Sequence, residues 1–137
     1  MSFYHHDRIL DYLHKVAVAV PKVGSGRLAA AVVYKGRIIS VGVNQAKTHP
    51  LQVKWNRNPL RSSLHAEVAA IIRSSRILNE DEIRRASIYV ARSKKILGVE
   101  SPGLAKPCDG CLDLIVASGF NGVYYTTEDG HGHLRIN

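Results

Sequence analysis

Two short stretches decide how this chain can fold: Leu64-His65-Ala66-Glu67-Val68 and Lys106-Pro107-Cys108-Asp109-Gly110-Cys111. The first opens a run whose apolar residues recur at helical spacing. In the second, Pro107 precedes a Cys-x-x-Cys pair, and proline is favoured where a helix starts. A spacing of three residues places the two sulfurs on one side of a helical turn. The stretches therefore predict two helices whose first turns carry reactive side chains.

The side chains at these two helix starts are those that zinc prefers. His65 offers an imidazole, and Cys108 and Cys111 offer thiolates, so the fourth tetrahedral position stays open for water. Two thiolates balance the charge of the ion, which can then lower the pKa of bound water to roughly 7. Glu67 would lie beside the metal without binding it and could take the proton of that water. We therefore expect one zinc ion per chain.

Each half of this pattern also has a simpler interpretation. A lone Cys-x-x-Cys can be a redox pair or half of a structural zinc site. A structural site needs a fourth ligand, and the candidates are His49, His131 and His133. A lone His-Ala-Glu is usually an ordinary helix start. The two motifs together, in this order, favour a hydrolytic zinc site, while the structural and redox sites stay open as alternatives.

His-x-Glu followed by Pro-Cys-x-x-Cys is the signature of the zinc nucleobase deaminases. In motifs and element order, residues 5–127 resemble the cytidine deaminase superfamily. The resemblance is closest to its His-Ala-Glu branch, which includes the deoxycytidylate and tRNA adenosine deaminases. The free nucleoside enzymes usually carry cysteine at the position of His65. The resemblance implies zinc-bound hydroxide as the nucleophile, Glu67 as the proton shuttle and a homo-oligomer.

The expected fold is a three-layer α/β/α domain over residues 1–137, with a mixed sheet of about five strands. Periodicity and turn signals predict helices at 5–20, 64–75, 79–85 and 108–118. They predict strands at 28–34, 38–44, 86–91, 122–127 and 132–136. Segments 45–63 and 92–106 are expected to be loops. The final strand pair is closer to the nucleoside branch, because deoxycytidylate and tRNA deaminases typically place another helix there.

The formal charge of +8 favours an anionic partner such as the phosphate of a nucleotide. Segment 45–63 has no acidic residue and leads directly into the His-Ala-Glu helix, so we expect it to line the pocket and bind phosphate. The basic candidates for this contact are Lys47, Lys54, Arg57 and Arg61. Trp55 in the same segment could stack on a base, anchor the loop by packing, or lie at a subunit interface.

Two further substrate contacts are implied by the resemblance. An asparagine near the end of the second strand contacts the substrate sugar in the superfamily, and we assign that role to Asn44. The alternative is an asparagine that bonds its own backbone in a turn. The backbone amide at Ala66, in the first turn of the metal helix, is expected to help position the ligand.

We therefore expect hydrolytic deamination of a cytosine-type base on a free nucleotide such as dCMP or CMP. No apolar run could span a bilayer, and the N-terminus lacks the apolar segment of a signal peptide, so a cytoplasmic protein is expected. One alternative is a deaminase that acts on a nucleic acid, either tRNA adenosine or single-stranded DNA cytosine. The other is a zinc-stabilised binding module without catalysis.

Overall fold

The structure is a computed structural model, and it describes residues 3–20, 26–46, 49–55 and 64–136. The helices in these ranges are α1 (Phe3–Val18), α2 (Pro50–Trp55), α3 (Ala66–Ser74), α4 (Glu80–Arg84) and α5 (Asp109–Ser118). The strands are β1 (Arg27–Tyr34), β2 (Arg37–Val43), β3 (Ser87–Ile96), β4 (Val99–Gly103), β5 (Gly122–Thr126) and β6 (His131–Arg135). None of the helices described is long and apolar enough to cross a membrane.

The strands form one mixed sheet in the order β2-β1-β3-β5-β6, and β4 pairs with β3. The β3–β5 pairing is parallel, and the other pairings are antiparallel. The mixed sheet is as predicted, but it contains six strands. The extra strand lies in segment 92–106, where the expectation of a loop was wrong. β3 continues to Ile96 and returns as β4 through Leu97 and Gly98, which both have positive φ.

The sheet is covered on both faces, which confirms the three-layer architecture. Alternate residues of β1 explain why that strand is almost entirely apolar: Ala30 and Val32 pack in the core with α3 and α5. Ala29, Ala31 and Val33 point the other way and pack in the core with α1. The strand is therefore buried on both faces, as its near-continuous apolar sequence predicted.

The predicted helix ends are also present. Asn79 and Glu82 form a reciprocal capping box at the start of α4, with bonds of 2.9 and 3.0 Å between side chain and backbone. Gly119 ends α5 in the left-handed conformation, at φ 93°. These local signals hold because each depends on residues within a few positions of one another.

The final hairpin and α1 meet in an aromatic cluster on the face opposite α3. His6 stacks on Tyr124 with ring centroids 4.0 Å apart and hydrogen-bonds the Tyr89 hydroxyl. His131 Nδ1 lies 2.9 Å from Asp7 Oδ1, which ties β6 to α1. The terminal strand pair is therefore confirmed. The rings of His6 and His131 are half-buried where α1 meets the outer part of the sheet.

Gly42 allows α3 to lie directly on β2. A Cβ at this position would come within 2.5 Å of both the Ala66 carbonyl oxygen and the Ala70 nitrogen. Those atoms belong to helix backbone, which cannot move aside without shifting the whole helix. Because α3 begins within the His-Ala-Glu motif, the close approach at Gly42 sets the distance between that motif and the sheet.

We expect Gly42→Ala to destabilise the fold by about 1–3 kcal/mol, the usual cost of overpacking a core. Urea denaturation followed by circular dichroism measures this change. Gly103→Ala is the matched control, because a Cβ there would meet only the flexible Lys94 and Arg92 side chains, at 3.3 Å and 3.4 Å. Equal stability of Gly42→Ala and the original chain would contradict the close approach.

Candidate metal centre

Both motifs lie at helix N-termini, as predicted. His65 immediately precedes α3 with an extended backbone, at φ −77° and ψ 151°. Cys108 immediately precedes α5 in a similar conformation, at φ −65° and ψ 165°. Two residues apart in a regular helix, the side chains of His65 and Glu67 would point about 200° apart around the helix axis. His65 lies outside the helix with an extended backbone, so this restriction does not apply and its ring can lie on the same side as Glu67.

Long-range hydrogen bonds bring the two helix starts to the same edge of the sheet. Gln45 and Leu64 exchange backbone bonds of 2.9 and 3.0 Å, which close the long loop and set α3 beside the end of β2. The Ala105 N–H donates to the Thr126 carbonyl at 2.9 Å, and the Thr126 hydroxyl donates to the Gly103 carbonyl at 2.7 Å. These bonds hold the segment before Cys108 against the carboxyl end of β5.

The structure brings the three expected ligands together. His65 Nδ1 lies 3.1 Å from Cys111 Sγ and 3.6 Å from Cys108 Sγ. At zinc–nitrogen and zinc–sulfur bond lengths, two ligand atoms at a tetrahedral angle would be about 3.6 Å apart. The donor set and its spacing therefore fit a tetrahedral zinc ion.

Of the three candidate fourth ligands, none joins this group in the described part of the chain. Among those residues the metal-binding cluster consists of His65, Cys108 and Cys111, whose ligand atoms all lie within 4.8 Å of one another. His49 instead immediately precedes α2, and its Nδ1 accepts a 3.0 Å hydrogen bond from the Leu51 N–H. The histidines of β6 belong to the aromatic cluster on the opposite face.

The two sulfurs differ in protonation and burial. The Cys111 thiol donates to the Cys108 sulfur, which lowers the pKa of Cys108 to about 4. The same hydrogen bond, together with burial, raises the pKa of the Cys111 thiol. Cys108 is therefore a thiolate at neutral pH, and a cation that displaces the Cys111 proton would bind two thiolates.

Glu67 is placed beside the ligands, in the first turn of α3. Its side chain is only 4% exposed, and burial raises the pKa of the carboxyl group above its ordinary value. The charges of His65 and Cys108 and the side chain of Cys111 also act on this pKa, so the carboxyl group lies next to the cluster. A buried carboxyl group with a raised pKa can both accept and return a proton during a reaction.

Gln52 also contacts the ligand segments, and the sequence reasoning did not identify it. It lies in α2, inside the segment that was expected to be an irregular loop, so that expectation was wrong for Pro50–Trp55. Pro50 in the first position of α2 is a helix-start signal that could have indicated this helix. No local signal distinguishes Gln52 from its neighbours, because its role depends on residues far away in sequence.

The proposed substrate contacts have different outcomes. The Asn44 carboxamide is buried and bonds backbone at the start of β1 and just before it, accepting from the Leu28 N–H at 2.9 Å and donating to the Gly26 carbonyl at 3.0 Å. Trp55 is partly buried and packs against the core cluster that includes residues of α3 and α5, and its role stays a prediction. Ala66 occupies the first position of α3. Lys47, Arg57 and Arg61 lie outside the described residues.

Comparison with known protein families identifies a zinc-binding region that contains His65, Cys108 and Cys111. Residues 4–127 match the family described as the cytidine and deoxycytidylate deaminase zinc-binding region. The chain belongs to this family. Membership makes this protein a hydrolytic deaminase, and the cluster of His65, Cys108 and Cys111 in the matched region is consistent with one zinc ion.

Solved structures resemble the fold of this deaminase. The dCMP deaminase of the cyanophage S-TIM5, in its apo form, is 17% identical with a TM-score of 0.58, over 93% of this chain and 86% of that one. The same enzyme in complex with dCMP and dUMP has 17% identity and a TM-score of 0.55, over 91% and 82% of the two chains.

A larger protein contains a similar unit. The Thermotoga maritima diaminohydroxyphosphoribosylaminopyrimidine deaminase/5-amino-6-(5-phosphoribosylamino)uracil reductase is 23% identical with a TM-score of 0.54, over 89% of this chain and 29% of that one. At these identities the structures establish the fold. No curated protein sequence matches the deaminase significantly. These findings give no support to the alternatives of a nucleic-acid substrate or a non-catalytic module.

Proposed function

We propose that this deaminase hydrolyses the amino group of a cytosine-type base on a free nucleotide, dCMP or CMP. His65, Cys108 and Cys111 hold the zinc ion in this proposal, and Glu67 shuttles protons. The observation that carries the proposal is the meeting of one imidazole, two sulfurs and a buried carboxyl group at two helix N-termini. Together these groups can acidify a water and receive its proton.

Zinc, when bound, supplies the positive charge that makes a nearby water acidic at neutral pH. Glu67 takes a proton from the water that attacks C4 of the base and gives it to ring nitrogen N3. It then carries a second proton to the amino group. The C4–N bond breaks, the oxygen of water stays on the base as a carbonyl, and the products are a uracil base and ammonia. The helix dipoles of α3 and α5 favour negative charge at the same point.

A nucleotide substrate is supported by two observations. The chain carries a formal charge of +8, which favours an anionic substrate. The cyanophage deaminase with the same fold has been solved with dCMP and dUMP. We assign phosphate binding to one of Lys47, Lys54, Arg57 and Arg61, and ligand positioning to Asn44 and the amide of Ala66. Trp55 stacks on the base, anchors the loop or lies at a subunit interface in this proposal. The homo-oligomer implied by the resemblance stays a prediction.

Ammonia release should be measured across cytidine, deoxycytidine, CMP, dCMP, dCTP, guanine, adenosine and short single-stranded DNA and RNA. Zinc content is determined on the same sample. We expect turnover of a phosphorylated cytosine nucleotide well above that of its nucleoside, with little dependence on salt. Turnover confined to oligonucleotides and falling steeply with added salt would contradict the proposal, because counterion release dominates polynucleotide binding. Turnover confined to unphosphorylated cytidine would contradict the phosphate contact.

A further inference from the structure

The side chain of Gln52 joins the two segments that carry the zinc ligands. Its Oε1 accepts a hydrogen bond of 2.9 Å from the backbone N–H of His65. The hydrogen bond with Cys108 and burial raise the pKa of the Cys111 thiol, and the nearby Gln52 amide acts on the same sulfur in the opposite direction, as a donor does. The helix α2 also packs against α5. One carboxamide thus meets the segment before α3 through its oxygen and faces the first turn of α5 with its N–H groups.

The Gln52 side chain is buried, so its polar groups need partners within the protein. Gln52 is 1% exposed, and a buried carboxamide is costly unless its donor and acceptor are both bonded. Gln52 is the buried residue of α2, whereas its neighbour Val53 is 58% exposed. The short helix therefore directs one polar side chain inward, and that side chain ends between two metal-ligand segments.

We propose that Gln52 is a positioning residue of the zinc centre, which holds the His65 and Cys111 segments at ligand spacing and tunes the Cys111 thiolate. Two short helix starts that are distant in sequence need a connection if their ligand atoms are to stay within bonding reach of one ion. A hydrogen bond to a thiolate ligand also draws electron density from the sulfur, so the metal keeps more of its positive charge. The inference rests on the zinc ligands of the proposed function and is independent of the substrate.

Gln52→Met tests the proposal, because methionine fills a similar volume without either hydrogen bond. We expect the dissociation constant for zinc, measured by competition with a coloured chelator, to rise by about 10- to 100-fold, as for other outer-shell partners of metal ligands. In the cobalt-substituted protein, the sulfur-to-metal charge-transfer band should shift. Val53→Ala, on the exposed side of the same helix, is the matched control and should change neither property.

Gln52→Asn keeps the carboxamide but is one methylene too short to reach both partners, so its zinc affinity should lie between those of the original and Gln52→Met. This variant also serves if Gln52→Met does not fold. A variant that is folded without zinc, yet binds zinc within about twofold of the original and keeps its cobalt spectrum, would overturn the inference. If the original chain bound no zinc, the proposed function would fail as well, whereas unchanged variants of a zinc-binding chain reject only the role of Gln52.

Discussion

Glu67→Gln should lower kcat/KM for the cytosine nucleotide by about 10²- to 10⁴-fold, the usual contribution of a positioned acid–base group. The amide has the same shape as the carboxyl group and fits the same buried position in the first turn of α3. It cannot accept the proton of the attacking water or return it to the base. Steady-state ammonia release measures the loss.

Zinc content should be unchanged in this variant, because Glu67 contributes no ligand atom to the metal cluster. Glu80→Gln is the matched control, since Glu80 is an exposed carboxylate in the first turn of α4 and should leave turnover unaffected. A Glu67→Gln protein with full zinc and full turnover would show that another group moves the protons.

Cys111→Ser should abolish zinc binding and activity together. Serine keeps nearly the same volume in a position that is 1% exposed, so the loss is one of ligation and not of packing. The original chain should also be stabilised by zinc, by about 4 kcal/mol when free zinc is 1,000 times the dissociation constant. Cys111→Ser should lose that stabilisation, and thermal unfolding with and without a chelator measures it.

The chain itself provides a check on this prediction. Cys108 and Cys111 are its two cysteines, so a thiol reagent reports directly on ligation. Zinc should protect both sulfurs of the original chain from the reagent. After zinc is removed, Cys108 should react first, because the hydrogen bond from the Cys111 thiol lowers the pKa of Cys108 to about 4. Cys108→Ala should likewise lose zinc, and full zinc in both cysteine variants would contradict the site.

The sequence by itself determined the features that depend on neighbouring residues. The His-Ala-Glu and Pro-Cys-x-x-Cys motifs predicted the cluster of His65, Cys108 and Cys111, because helix starts and ligand types are local properties. The capping box at Asn79 and the left-handed Gly119 followed in the same way. The burial of β1 on both faces was equally readable, because the strand is almost entirely apolar.

The tertiary structure decided what depends on contacts between distant segments. The hairpin from β3 to β4 turns at Leu97-Gly98, which lacks the Asn-Gly or Asp-Gly signal of such turns, so local chemistry did not reveal it. His6 of α1 packs on the sheet because it hydrogen-bonds Tyr89 and stacks on Tyr124, and both residues are far from it in sequence. Gln52 meets His65 and Cys111 only because the fold brings three segments together. A hydrogen bond between distant residues has no sequence period, and that is why the metal ligands could be predicted and their connection could not.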